Sequence, residues 1–112
     1  MKICDAYDAN GFKIANRRGD WFGTRGTDVV WNLWEDKWVN DLYDCSERGV
    51  VIDRTAYKLL SKKIEGDTIF FFRVAKVNGK TDVIDSTPHQ AEILYLRKEK
   101  NGLHRLILKK TN

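Results

Sequence analysis

The dipeptide Asn-Gly occurs three times in this 112-residue chain, as Asn10-Gly11, Asn78-Gly79 and Asn101-Gly102. Both central positions of a type I′ turn require positive φ, which Asn and Gly adopt at least steric cost, so each copy predicts a tight β-hairpin. Centring the first turn opposes Tyr7 to Ile14 and Asp8 to Lys13, an apolar pair and an opposite-charge pair, with strands over 2–8 and 12–16. The second turn joins 68–77 to 80–84. Phe70, Phe72 and Val74 fall on one side of the first of these runs and Ile69, Phe71, Ala75 and Val77 on the other, the pattern of a central strand covered on both faces. The third turn joins 91–98 to 103–110, opposing Leu96 to Ile107, Tyr95 to Leu108, Lys98 to Arg105 and Glu99 to His104. A rival reading makes 88–100 a helix, because Thr87-Pro88-His89-Gln90 has the form of a capped helix start and Gly102 that of a stop. The apolar residues 93–96 would run round all sides of such a helix, which favours the strand.

Two helices are expected before this sheet. Over 27–45, Val30, Trp31, Trp34, Trp38, Leu42 and Cys45 fall within an arc of roughly 120° at helical spacing. The second starts at the potential cap Asp53, runs 54–64 with Ala56, Leu59, Leu60 and Ile64 on one side, and stops at Gly66. A brief strand over 49–52 separates them. The order is β-β-α-β-α-β-β-β-β: an α+β domain with a mostly antiparallel, strongly twisted sheet that can curl partly into a barrel, and two helices packed on it.

The length suits one domain, 1–112. With 42% hydrophobic and 32% charged residues and a single proline, the composition is that of a folded globule rather than a disordered or low-complexity chain. No run approaches the roughly 20 apolar residues of a membrane-spanning helix. Met1-Lys2-Ile3-Cys4-Asp5 places an acid where a signal peptide carries its apolar run, so a cytoplasmic location and no membrane partner are expected. Cys4 and Cys45 lack the spacing of zinc or redox motifs, and Gly19, Gly23 and Gly26 fit neither a P-loop nor a dinucleotide fingerprint. Asp41, Asp44 and Glu47, and separately Asp82 and Asp85, read as solvated faces rather than a converging oxygen-ligand set. No metal or cofactor is implied, and no catalytic residue is assigned.

Charge is uneven along the chain. Residues 1–56 hold eight Lys/Arg against ten Asp/Glu, whereas 57–112 hold twelve against six, for a net +4. Two segments concentrate cations and rings. The loop after the first turn carries Arg17, Arg18, Trp21, Phe22 and Arg25; the terminal hairpin carries Arg97, Lys98, Lys100, Arg105 and Lys109, with Lys110 beside them. Cations for phosphates with rings for bases is the chemistry of single-stranded nucleic-acid binding, and equally of a protein-interaction hot spot. Two duller readings stand beside it: Trp21 and Phe22 fold back to cap the core, and the hairpin lysines protect an edge strand.

The leading expectation is a non-enzymatic binding module for an anionic partner, RNA or DNA, contacted by the loop and the hairpin on one wall. The alternative is a protein-interaction or small-ligand domain, homodimeric through exposed aromatic surface. The third is a small ribonuclease using His89 and His104, the only histidines, as general base and acid.

Overall fold

A computed structural model describes residues 1–16, 22–45, 60, 62–98, 100 and 104–111. In chain order these form α1 (Ile3–Ala9), β1 (Lys13–Asn16), β2 (Phe22–Arg25), β3 (Asp28–Trp34), a 3-10 turn (Glu35–Lys37), β4 (Leu42–Asp44), β5 (Thr68–Val77), β6 (Lys80–Val83), β7 (His89–Lys98) and β8 (His104–Lys110). Among the described residues the fold is a sheet-rich α+β arrangement of eight strands and one α-helix. It divides into two compact units, Met1–Asp36 with Ile69–His89, and Lys37–Thr68 with Gln90–Asn112.

In the first unit β1, β2 and β3 form an antiparallel meander, and β3 pairs in parallel with β5 from Val30↔Phe70 to Trp34↔Val74. The expected central strand 68–77 is β5 itself. Its hairpin to β6 turns through Asn78 (φ 52°) and Gly79 (φ 78°), both left-handed as a type I′ turn demands, with Val77 opposite Lys80. Helix α1 buries Ile3, Ala6 and Tyr7 against Phe12, Val30, Phe72, Val74 and Val83. The Tyr7 hydroxyl donates to Asn32 Oδ1 across 2.9 Å inside this core. Burial pushes the Tyr7 phenol well above its ordinary pKa, so it stays a donor.

Two expectations fail in this unit. The segment 2–8 is helical rather than a strand, and Asn10-Gly11 ends that helix instead of turning a hairpin. Gly11 (φ 74°) donates to Asp8 O at 3.1 Å and Phe12 N to Tyr7 O at 2.9 Å, the paired bonds of a Schellman stop, and the Tyr7 and Phe12 rings meet edge-on with centroids 6.3 Å apart. The same left-handed preference serves a C-cap and a type I′ turn; the burial spacing Ile3, Ala6, Tyr7 decides for the helix. The helix expected over 27–45 is also absent. Asp28–Trp34 is a strand whose five central residues are buried, because β2 and β5 flank it on both sides.

In the second unit β8 pairs antiparallel with both β7 and β4. Asn40 (φ 50°) and Asp41 (φ 64°) make a tight turn between Val39 and Leu42, which exchange both backbone bonds at 2.9 Å, where the helix had been expected to continue. The rival helix over 88–100 is ruled out, since β7 covers His89–Lys98. The register differs by one from expectation: Lys98 faces His104, Arg97 faces Arg105, Leu96 faces Leu106 and Tyr95 faces Ile107, and an irregularity at Leu94 then sets Ile93 opposite Leu108. This pairing puts Ile93, Leu106 and Leu108, all fully buried, on one face together with Leu96. Residues 65–67 run beside β7, Gly66 N donating to Ile93 O and Ile93 N to Asp67 O, each at 2.8 Å.

The expected helix over 54–64 falls mostly outside the described residues; of those described within it, Leu60 is helical and 62–64 are not. Among the described residues, two helices packed on the sheet are not found. The strand expected over 49–52 and the third Asn-Gly turn lie outside the described residues.

Candidate nucleic-acid interface

The hairpin of β7 and β8 carries most of the cations singled out in the sequence. Side chains alternate across a strand, so Tyr95 and Arg97 share a face with their cross-strand partners Ile107 and Arg105, and Lys109, opposite Glu92, follows on that face. The other face holds the buried residues. Four residues from Arg105 to Lys109 span roughly 13 Å of strand.

The two arginines are held rather than loose. Arg97 donates from Nε to Glu65 Oε1 at 3.1 Å, and its guanidinium carbon sits 5.2 Å from the centre of the Tyr95 ring, while its side chain stays 65% exposed. Leu96 N donates to the same Glu65 oxygen at 3.2 Å. The Arg97 hydrogen bond and then that of the Leu96 amide hold the Glu65 carboxyl below the ordinary glutamate range, and Glu65 in turn raises the Arg97 guanidinium. Arg105 Nη2 donates to Asp44 Oδ2 of β4 at 2.6 Å. Lys98, Lys100 and Lys109 are exposed and have no carboxylate partner among the described residues. Among the described residues, five cations on this face and at its tip thus stand against three carboxylates, Asp44, Glu65 and Glu92. β8 is paired on both sides, so Lys109 does not guard an edge strand.

The loop residues fare differently, and they belong to the other unit. Phe22 is buried on β2 with its ring 5.2 Å from Trp31, as a core residue rather than a stacking platform. Arg25 donates to Asn10 O at 2.8 Å at the C-terminal end of α1, where a cation complements the helix dipole. It also pairs with Asp28 at 3.3 Å and lies 4.3 Å over the Phe12 ring, so its bonds serve the fold. Arg17, Arg18 and Trp21 lie outside the described residues.

A second polar array sits in the first unit. Arg73 donates from Nε and Nη2 to the two oxygens of Glu35, each at 2.9 Å, and its Nη1 is 3.8 Å from Asp85. Asp85 accepts from Thr87 N at 2.7 Å and lies 3.0 Å from His89 Nε2; the Thr87 amide first, and the histidine next, hold its carboxyl below the ordinary aspartate range. The forked Arg73–Glu35 pair ties the 3-10 turn to β5. Asp85 spends its acceptors on closing its own loop. The ribonuclease reading needs a second histidine, and the His104 side chain lies outside the described residues.

Among the described residues no group of three or more His, Cys, Asp or Glu could hold a metal ion, and no helix is long and apolar enough to cross a membrane. Tyr95 and Glu65 were not among the residues expected at the site. Tyr95 had a signal, since it precedes Arg97 by two residues on one strand and so shares its face; Glu65 had none, because its approach to β7 depends on the pairing of 65–67. No known protein family matches the chain, and no curated protein or solved structure is significantly similar to it.

Proposed function

We propose that the protein is a binding module whose partner is nucleic acid, contacted through the β7–β8 hairpin. What supports this reading is the clustering of Arg97, Arg105 and Lys109 with Tyr95 on one sheet face, with Lys98 and Lys100 at its end. Lysines without carboxylate partners are the phosphate ligands; the two arginines, already hydrogen-bonded to Glu65 and Asp44, give the face its shape. The loop residues Arg25 and Phe22 drop out of the interface, and the proposal rests on the hairpin alone.

Three lysines neutralising three phosphates of a single strand give a salt slope of about −2, hence affinity falling about 20-fold between 50 and 200 mM salt. Fluorescence anisotropy with labelled oligonucleotides at both concentrations tests this. Micromolar binding that weakens by that factor supports the reading, and no binding at the lower salt removes it. A second reading, a protein-interaction surface, draws on the exposed Val39 and Leu42 (52% and 38%) at β4. Light scattering that finds a dimer lost on Leu42→Asp would favour it instead.

A further inference from the structure

We infer that the hairpin selects single-stranded over duplex nucleic acid, because Arg97 is held in place as a stacking platform for an unpaired base; this rests on the nucleic-acid reading above. An arginine that works as a phosphate ligand needs its in-plane donors free for the anion. Arg97 has given one of its five donors, the Nε, to Glu65, and the neighbouring Leu96 amide bonds to the same oxygen, so the carboxylate is anchored and the guanidinium with it. The Tyr95 ring lies 5.2 Å from the guanidinium carbon. Hydrogen bonding within the plane and a ring beside it restrict the group's rotation, yet the side chain remains 65% exposed. Its Nη donors remain for a phosphate, and beside them Arg97 offers a ligand a delocalised planar surface; guanidinium planes accept stacked bases.

Bases inside a duplex are already stacked on each other and present only their edges, so this surface has no partner there. An unpaired base can lie on it while the flanking phosphates reach Lys98 and Lys100 at the hairpin tip and Lys109 along the same face. The planar group contributes without regard to sequence, because every base has a π-face.

The test compares a 12-nucleotide strand with its duplex, as RNA and as DNA, by anisotropy at low salt, for the wild-type chain, Arg97→Lys, Tyr95→Phe and Tyr95→Leu. Arg97→Lys keeps the charge and removes the plane. It is expected to weaken single-strand binding roughly tenfold with the salt slope unchanged, and to leave duplex binding as it was. Tyr95→Phe, which keeps the ring, is expected to bind as wild type, and Tyr95→Leu to follow Arg97→Lys. Preference for either single strand over its duplex, lost in Arg97→Lys, supports the inference. Equal affinity for strand and duplex, or an Arg97→Lys protein that binds the strand as wild type does, overturns it while leaving the nucleic-acid reading standing. Absence of binding to every oligonucleotide overturns both. Circular dichroism of each variant checks that its fold is retained, and Tyr95→Phe with Arg97→Lys carries the conclusion if Tyr95→Leu does not fold.

Discussion

Replacing Tyr7 by Phe removes one oxygen and nothing else, yet it should change both the stability of the protein and how that stability depends on pH. The hydroxyl is fully buried and donates to Asn32 Oδ1 at 2.9 Å, and Asn32 is itself only 7% exposed. Loss of the donor leaves a buried amide oxygen without that bond, which costs about 1–3 kcal/mol at neutral pH. The fold also excludes the phenolate, so the Tyr7 pKa is raised on folding above its unfolded value near 10. Below that value both states keep the proton and the stabilisation is complete. Above it the unfolded chain releases the proton and the folded chain retains it, so wild-type stability falls with rising pH by about 1.4 kcal/mol per unit, a slope Tyr7→Phe lacks. Every other titration is common to the two chains and cancels in their difference. Urea unfolding followed by tryptophan fluorescence at pH 7, 9, 10.5 and 11.5 should show a constant gap up to about pH 10 that closes one to two units higher. Parallel stability curves over the whole range, or a variant as stable as wild type at pH 7, would mean that the buried Tyr7 hydroxyl does not carry this stabilisation.

Two glycines should respond to alanine for different reasons. At Gly23 the new Cβ would lie 2.3 Å from Lys13 O and 3.0 Å from Tyr7 Cε2, so β1 and β2 must part; thermal melts should show a loss of about 3 kcal/mol or more. At Gly11 the nearest atom would be Arg25 Cδ at an ordinary 3.7 Å, and only the left-handed backbone opposes the substitution, at about 1 kcal/mol. Equal losses at the two sites would contradict this distinction. The Asp85 carboxyl is held below the ordinary range by the Thr87 amide and His89, so its contribution is present above an unfolded aspartate's pKa and is lost as pH falls through its folded one. A carbon-detected NMR titration should find it ionised at a pH where an exposed aspartate is half protonated, and Asp85→Asn should remove that part of the acid sensitivity.

Strands whose signal was local were legible in the sequence. β5 announced itself by apolar residues on both alternations, and Asn78-Gly79 by two residues that accept positive φ with strands on either side. Where one local signal serves two structures, the sequence was ambiguous: Asn10-Gly11 suits a Schellman stop as well as a hairpin, and reading it as the latter turned α1 into a strand. The stripe of Val30, Trp31, Trp34 and Trp38 matched a helical arc, but Val29, Val30 and the tryptophans also suit a strand, and the neighbours β2 and β5 settle the matter by pairing. Those partners are distant in the chain, which is why periodicity alone missed them. The hairpin cations were visible as composition, but their register was not. The irregularity at Leu94 and the one-residue shift decide that Arg97, rather than Lys98, faces Arg105, and hence which cation lies with Tyr95. The ring and carboxylate that hold Arg97 emerge only from that pairing.

Whether nucleic acid docks on the β7–β8 hairpin is read most directly from an amide chemical-shift map of the nitrogen-15-labelled protein titrated with a short single strand at low salt. Binding through the hairpin should give shifts concentrated on 95–100 and 105–109, weakening together as salt is raised. Shifts confined to α1 and β1–β3, with the hairpin amides unmoved, would contradict it.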